Sequence, residues 1–561
     1  MRKDSASSAS RPLLFLDDSP ATARKRTISR QAKAHTARVN WERHKSKSIR
    51  SSSSADGSVA PRSQMRSPVI VPLPTTDEET LSADGYAGDP GPLSSTVSTY
   101  TGSPWSPGTL LPPASLAYAL PNTTTFSTEL LWPALSPPLS PVFGALTVNT
   151  FRVEQSVSVA TTADYCFNVV LKNTLQPPQI ASWFQAFSQS PVVFHALSYT
   201  VGVHQSLSGS GAATGNQQEM LMHKGQTIRT INGLLNDLDN ADAEMMILAM
   251  FILWRVNVAQ QTDVREETLL FSAYMPGANW ISVYGKAQAI DMHAQALYWL
   301  VERIGGLPKI KLPGLQMVLS IGDLIDSSIR CVKPRFPCIW DVSSCLQVLH
   351  PILRSSERSI SGTGFAHHVP RGLPARALET MQWLASIDYL MERGQHARLD
   401  DTFYGIVVSA RNGIQHKILH LARWQELSET EREGSFFATY ETCRITALIY
   451  ANAVLFPMPP STGWLLKLLD ELRQLIEVSN LASWRDDTTS LLIWSLFIAA
   501  IASFRRVHRK FFRDALNTIL MTRGIMSWSA AEAILKQFLW TDSACGQGGT
   551  IVWETMQMAA L

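Results

Sequence analysis

Two pairs of neighbouring acids, Asp400-Asp401 and Asp486-Asp487, have side chains that could bind a metal ion for catalysis. An all-helical terpene cyclase uses an aspartate-rich motif of this kind to hold magnesium against a diphosphate. That motif needs a third acid one helical turn on, where this chain has Tyr404 and Ser490. Both pairs stand where helices are predicted to begin, and acids there interact favourably with the helix macrodipole. We therefore interpret both pairs as helix-start residues.

Thiol and imidazole groups suggest a second chemistry, metal binding, but their spacing does not fit a metal site. Cys331, Cys338 and Cys345 stand seven residues apart, whereas a binuclear zinc cluster needs Cys-x2-Cys pairs. His367-His368 lies in a loop bounded by glycine and proline, with no cysteine nearby. The glycines at 209–215 also lack the spacing of a phosphate-binding loop. We therefore predict no metal, no cofactor and no catalytic residues.

The cysteines and the longest apolar run bear on the compartment of the chain. Six cysteines are scattered along the sequence and no secretory signal precedes them, which predicts reduced thiols in an intracellular protein. The apolar run at 491–501 is flanked by charged residues and is shorter than the roughly 20 apolar residues of a membrane-spanning helix. We predict a buried core helix at this run and no membrane partner.

The elements that must position any site are helices, because apolar residues recur at helical spacing from about residue 150 onward. At 221–236, Leu221, Ile228, Ile231 and Leu235 fall on one helix face. Alternating strand-like patterning is nearly absent, and no repeat of about 30–45 residues indicates a solenoid. The sequence therefore predicts an all-α, multi-helix domain. Its predicted helices span 163–175, 178–187, 191–207, 221–236, 241–258, 280–305, 315–329, 375–393, 402–423, 435–455, 463–478, 487–504, 506–523 and 529–540.

Composition divides the chain into four parts. Residues 1–145 are rich in Ser, Pro, Thr and Ala, and such a segment buries too little apolar surface to offset chain entropy. We predict a basic, mostly disordered arm at 1–50 with room for a short helix, and a disordered Ser/Pro-rich linker at 51–145. The all-α domain follows at 150–541, and a C-terminal tail covers 542–561.

The basic arm has the clearest functional content in the sequence. The chain has a net charge of +3, but residues 1–50 hold 13 Lys/Arg against 4 Asp/Glu, so the rest is mildly acidic. Two clusters within the arm have the arrangement of a two-part nuclear import signal. They would also attract phosphate backbone weakly and without sequence preference, and a solvated tail without a partner remains an alternative. The clusters consist of Arg24, Lys25 and Arg26, and of Arg43, Lys45 and Lys47.

Two stretches resemble the regulatory domain of fungal-specific transcription factors. The first runs from 222 to 307 and closes on Arg303-Ile304-Gly305-Gly306-Leu307, with an acid further on at Asp323. The second is 441–450, followed by 491–498. Residues 28–35 and 39–45 resemble a subgroup, in part labelled tachykinin family, whose members replace the N-terminal binuclear zinc cluster with a short basic head. The residues that carry the resemblance are His223, Arg229, His293, Arg303, Gly305, Gly306, Asp323, Arg444 and Trp494.

The resemblance implies structural roles for these residues and supplies no catalytic ones. Gly305 and Gly306 suit a left-handed helix end. Arg303 and His293 are expected to satisfy interhelical carbonyls or Asp323, and Arg444 to do the same between two helices. Sequence-specific DNA contact in the family comes from the zinc cluster, which is absent from this sequence, so the arm alone would bind mainly without specificity.

Three functions follow as hypotheses. The first is a nuclear transcriptional regulator without a zinc cluster, whose helical domain binds protein partners or a small effector, or forms a homodimer. The second is a helical protein-interaction module with no nucleic-acid role. The third, a helical enzyme such as a terpene cyclase, would need Asp400 or Asp486 for magnesium-dependent turnover.

Overall fold

The computed structural model describes residues 157–208, 215–239, 241–257, 269–353, 361–367, 373–396, 401–433, 436–479, 484 and 488–560. These residues form α-helices, short 3₁₀ and π turns and loops, with no strand among them. The predicted all-α fold class is therefore confirmed. The predictions for the arm and the linker lie outside the described residues, as do Asp400, Asp486 and Asp487.

Eight helices make up the first half of the described chain. Prolines open two of them, α2 and α3, where the missing N–H would have no helical partner. The side chain of Asp242 caps α5 by accepting hydrogen bonds from the backbone N–H groups of Glu244 and Met245. The helices are α1 Val157–Tyr165, α2 Pro177–Gln189, α3 Pro191–Leu207, α4 Gly215–Leu234, α5 Ala243–Arg255, α6 Ile281–Tyr284, α7 Asp291–Arg303 and α8 Leu315–Arg330.

The second half of the described chain continues with further helices, two of them very short. Its α14 continues into a π turn at Ala451–Leu455, and another π turn, Asp542–Gly546, precedes the last helix. The helices are α9 Val342–Leu353, α10 Thr363–Ala366, α11 Ala375–His396, α12 Asp401–Leu419, α13 Glu429–Glu433, α14 Phe437–Tyr450, α15 Trp464–Ser479, α16 Thr489–Ala502, α17 Arg509–Thr522, α18 Trp528–Leu535 and α19 Gln547–Ala560.

Two hydrophobic cores share helix α8. An N-terminal core is built mainly from α2, α3, α5 and α7, and a C-terminal core from α11, α12 and α14 to α19. On α8, Leu315 and Leu319 belong to the N-terminal core, whereas Ile321, Leu324 and Ile325 belong to the C-terminal core. This division follows from the helical period, which turns successive apolar residues toward different neighbours. Helix α8 therefore joins the two cores.

Helix α5 packs closely against α8 at a glycine. A Cβ atom at Gly322 would lie 2.3 Å from a ring carbon of Phe251, closer than any real side-chain contact. Because Gly322 has no side chain, the Phe251 ring can lie against the backbone of α8. The two cores meet at this contact, and the candidate site described below lies beside it.

Helix α16 is the buried helix predicted from the apolar run at 491–501. Twelve consecutive residues of α16, from Leu491 to Ala502, are buried, and Trp494 has no exposed surface. The Trp494 indole donates a hydrogen bond of 2.9 Å to the carbonyl of Leu539. No helix in the described part of the chain is both long enough and apolar enough to cross a membrane.

The structure differs from the predicted elements at three places. The single helix predicted at 280–305 is broken, because α6 ends at Tyr284 and α7 begins only at Asp291. The residues predicted as a C-terminal tail instead form α19, whose Val552 and Met556 are buried in the C-terminal core. Apolar spacing also predicted no helix at Val342–Leu353, where α9 lies.

Candidate effector cavity

A cavity of about 80 Å³ lies where the two cores meet. Its walls come from α3, α5 and α8, together with the turn before α6. Most of the lining is hydrocarbon, including Leu248, Phe251 and Ile321. Polar residues also line it, among them Asn279, Arg255 and Tyr284, and the last two are in contact with each other; we call this part of the wall the polar end.

Arg255, the last residue of α5, is the charged group in the cavity wall. Its side chain is 2% exposed and its Nη1 lies 3.3 Å from Asp326 Oδ1. Its Nη2 donates to the carbonyl of Tyr284 at 3.2 Å. Burial lowers the pKa of Arg255, while the neighbouring Asp326 carboxylate opposes that shift. Asp326 also accepts a 2.9 Å contact from Arg330, so one carboxylate is shared between two guanidinium groups.

A second buried arginine stands directly behind the cavity. Arg411 on α12 donates through Nη2 to Asn279 at 2.8 Å, and Asn279 lines the cavity. Its other polar partner is Asn412, and the guanidinium lies 5.3 Å from the Phe456 ring centroid. No described carboxylate forms an ion pair with Arg411. Burial lowers the pKa of Arg411 to about 10.

Three buried donors in or behind the cavity wall have no hydrogen-bond acceptor among the described residues. They are Arg255 Nε, Arg411 Nη1 and the hydroxyl of Tyr284. Burial also raises the pKa of Tyr284, so its hydroxyl keeps its proton. Buried donors are nearly always paired in folded proteins, and leaving one unpaired costs roughly 1–3 kcal/mol. The arrangement can therefore accept a group that carries oxygen lone pairs.

The sequence signature residues at the end of α7 lie elsewhere, on the N-terminal core. Gly305 and Gly306 have φ values of +98° and +90°, and thus occupy the left-handed region that a helix end favours. Arg303, which we expected to satisfy interhelical carbonyls or Asp323, pairs with Asp239 at 3.1 Å on the surface. Asp323 instead accepts from the Tyr298 hydroxyl at 2.6 Å and from two backbone N–H groups after α8.

Histidines of the signature pack inside the N-terminal core. His223 on α4 lies with its Nδ1 2.9 Å from Nδ1 of His195 on α3. Burial and the facing His223 lower the pKa of His195 to about 4. His293 has no exposed surface, and burial lowers its pKa to about 4. Arg229 is exposed on α4, so the structure does not bring the signature residues together into one site.

Arg444 differs from its expected role between two helices. Its guanidinium contacts Glu441, one turn earlier on the same helix α14, at 2.6 Å. The other oxygen of Glu441 accepts the backbone N–H of Trp424 at 2.6 Å, which ties the loop before α13 to α14. Within the described ranges no three His, Cys, Asp or Glu side chains are placed to hold a metal ion.

None of the residues at the polar end of the cavity was predicted as a site residue. Arg255 ends an otherwise apolar run, 245–254, and Arg411 follows the run Ile406–Ala410 in α12. In both cases the sequence shows only a charged residue at a position where helical spacing predicts a core residue. This pattern does not identify the residue that pairs with the charge. Arg255 and Asp326 are 71 residues apart, whereas Arg411 and Asn279 are 132 apart.

Comparison with known protein families matches residues 410–556 to the fungal-specific transcription factor domain. No curated protein matches the chain, and no solved structure matches it. The match contains the second resembling stretch, with Arg444 and Trp494, and begins one residue before Arg411. The first resembling stretch, at 222–307, lies outside it. Residues 410–556 of this chain are therefore similar to the fungal-specific transcription factor domain, a family that is regulatory and not enzymatic.

Proposed function

We propose that the protein is a nuclear transcriptional regulator that acts without a zinc cluster of its own. The single observation that carries this function is the match of residues 410–556 to the fungal-specific transcription factor domain. The basic arm would supply nuclear import, through Arg24, Lys25 and Arg26 together with Arg43, Lys45 and Lys47. The helical domain would then act through protein partners, a homodimer or a small effector.

A surface feature of the helical domain supports contact with phosphate backbone. The loop between α16 and α17, with the first turn of α17, carries Arg505, Arg509 and Lys510, which we call the basic corner. No described carboxylate pairs with any of the three, and no acid occurs between residues 504 and 513. Unpaired surface cations of this density attract polyanions in a salt-dependent manner. The basic corner would therefore add to the non-specific attraction of the arm.

The cavity supports a regulatory role for the helical domain. It is bordered by Phe251 of the N-terminal core and by Ile321 and Ile325 of the C-terminal core. A molecule bound there would contact both cores and would favour whichever arrangement of α5 and α8 it fits. In this proposal, effector binding changes the conformation in which the domain contacts its partners.

Chromatin occupancy of the tagged, full-length protein tests the proposed function. We expect discrete peaks at promoters, and weaker peaks when the six basic residues of the arm are replaced by alanine. A matched control replaces four basic residues outside the two clusters, Arg30, Lys33, Arg38 and Arg50, and should keep the peaks. If a well-expressed protein shows no enrichment anywhere, the interaction module without a nucleic-acid role replaces this proposal.

A further inference from the structure

We infer that the cavity binds a small carboxylate that carries a short apolar chain. The inference rests on the proposed function, because it names the chemical class of effector that the helical domain would take. The carboxylate lies at the polar end, toward Arg255, Asn279 and Tyr284. The chain lies against the hydrocarbon wall formed by α5 and α8.

The charge balance at the polar end favours an anion. Arg411 is 1% exposed and is held by two asparagine side chains instead of a carboxylate. Burying a cation without an anionic partner is costly, and buried charges in proteins are therefore paired. Asp326, the carboxylate that pairs with Arg255, is already shared with Arg330. An incoming carboxylate beside Asn279 would bring a negative charge close to Arg411, which stands behind that residue.

The hydrogen-bonding groups select an acceptor and reject an amine. A guanidinium group has five N–H donors and no acceptor, so Arg255 Nε and Arg411 Nη1 can only be satisfied by lone pairs. The hydroxyl of Tyr284, which lines the cavity together with Arg255, is a further donor for such a group. Carboxylates match the planar fork of arginine and accept from several donors at once. An ammonium ligand would add a third cation to the two buried arginines.

The size and walls of the cavity limit the rest of the molecule. One water needs roughly 10–15 Å³ of such space, so a cavity of about 80 Å³ takes a molecule of roughly six to eight non-hydrogen atoms. Leu248, Phe251, Ile252, Val318 and Ile321 offer no polar side-chain atom to the chain. A branched acid of four or five carbons fits these limits. Ordered water that satisfies the three donors is the competing occupant.

Calorimetric titration of the purified full-length protein with 3-methylbutanoate tests the inference, with 3-methylbutan-1-ol as a probe of the same carbon skeleton. We expect the acid to bind and to raise the melting temperature, and the alcohol to bind at least about tenfold more weakly because it lacks the charge. No binding of the acid would mean that water occupies the cavity, and equal binding of both probes would mean that the cavity does not recognise a carboxylate; either result would overturn the inference.

Two variants separate the polar end from the apolar wall. Arg411→Gln removes the buried cation and should weaken binding of the acid by about tenfold or more. Val318→Phe fills the apolar wall without touching a charge, and should abolish binding even if Arg411→Gln fails to fold. Arg229→Gln, at an exposed position on α4, is the control and should bind normally.

Failure of this inference can be distinguished from failure of the proposed function. Absence of binding together with normal chromatin occupancy would overturn this inference alone. If Val318→Phe folds and binds the acid as tightly as the natural sequence does, the binding site lies elsewhere and the inference is likewise wrong.

Discussion

The hydroxyl of Tyr450 donates a hydrogen bond of 2.7 Å to Asp388, whose side chain has no exposed surface. Burial raises the pKa of Asp388 to about 8, with a further rise from Glu392 one turn along α11, while the Tyr450 hydrogen bond opposes the shift. Burial also raises the pKa values of Tyr274 and Cys545 in the same cluster, so both keep their protons in this range. Asp388 is therefore largely protonated in the folded protein at neutral pH.

This relationship predicts how stability depends on pH. The folded state keeps a proton on Asp388 that the unfolded chain releases above its ordinary pKa of 3.8. The stabilisation from Asp388 is thus full below that pH and is lost as the pH rises through about 8. In the natural sequence, Asp388 should make the free energy of unfolding fall with rising pH by up to about 1.4 kcal/mol per pH unit. Asp388→Asn should remove this part of the pH dependence.

Urea unfolding of both proteins between pH 5 and pH 9 measures that slope. The matched control is Glu554→Gln, at an exposed acid on α19, which should keep the slope of the natural sequence. Equal slopes in the natural sequence and in Asp388→Asn would mean that Asp388 is ionised in the folded protein.

Truncation of Trp494 should be strongly destabilising. Its ring lies 5.4 Å from that of Phe365 and 5.5 Å from that of Phe538, inside the C-terminal core. Trp494→Ala leaves a large cavity and should cost about 3–5 kcal/mol in the free energy of unfolding. Trp494→Phe keeps part of the packing but leaves the Leu539 carbonyl without the indole donor, and should cost less. Chemical denaturation measures both, and a cost below about 1 kcal/mol in the alanine variant would contradict the packing shown here.

Nuclear import should depend on the two basic clusters of the arm. Replacing Arg24, Lys25, Arg26, Arg43, Lys45 and Lys47 with alanine should move a fluorescent fusion from the nucleus to the cytoplasm. The control is the four-residue variant at Arg30, Lys33, Arg38 and Arg50, which changes charge in the same arm but spares both clusters. An unchanged nuclear signal in the six-alanine protein would exclude the arm as the import signal.

The basic corner should contribute to phosphate binding. Arg505 and Arg509 flank the Phe504 ring at 5.5 Å and 4.7 Å, and Val507 at the tip of the loop is 86% exposed. Replacing Arg505, Arg509 and Lys510 with glutamine should weaken binding to duplex DNA of any sequence. The dependence of log affinity on log salt should become shallower by about 0.9 for each phosphate group that the variant no longer neutralises.

Gel-shift titration at several salt concentrations measures this slope. The control variant changes three exposed cations of the N-terminal half, Arg229, Lys309 and Lys311, to glutamine and so removes the same net charge. If both variants lose affinity equally, net charge explains the binding and the basic corner has no special part in it. If the basic-corner variant keeps its binding to DNA but loses binding to anionic vesicles, the basic corner binds a membrane surface instead.

Local patterning was enough to predict the fold class and most helices, because a buried helix face repeats every three or four residues. The break between α6 and α7 could not be predicted in this way. Gly285 lies against Pro459, and the backbone N–H groups of Gln288 and Ile290 donate to the carbonyls of Asn257 and Trp254, so distant parts of the chain fix this break. The cavity was beyond sequence reasoning for the same reason, because the partners of Arg255 and Arg411 come from other parts of the chain.

Partner choice among charged residues was the least predictable feature. Spacing and resemblance favoured Asp323 as the acid that Arg303 or His293 would meet, yet the fold brings Tyr298 and the chain after α8 to that carboxylate. Arg303 faces solvent at the end of α7 and finds Asp239 there. Nor does the sequence show that most of the tail predicted at 542–561 forms α19, where Gly548 lies against Ile501 of α16 and Val552 is buried in the C-terminal core.

Helix α8 contributes to both cores, and the recognised family segment begins only at residue 410. The segment that matches the family is thus smaller than the hydrophobic core to which it belongs. A polypeptide restricted to 410–556 would lack Ile321, Leu324 and Ile325, which complete the C-terminal core, and would expose the apolar surface that these residues cover.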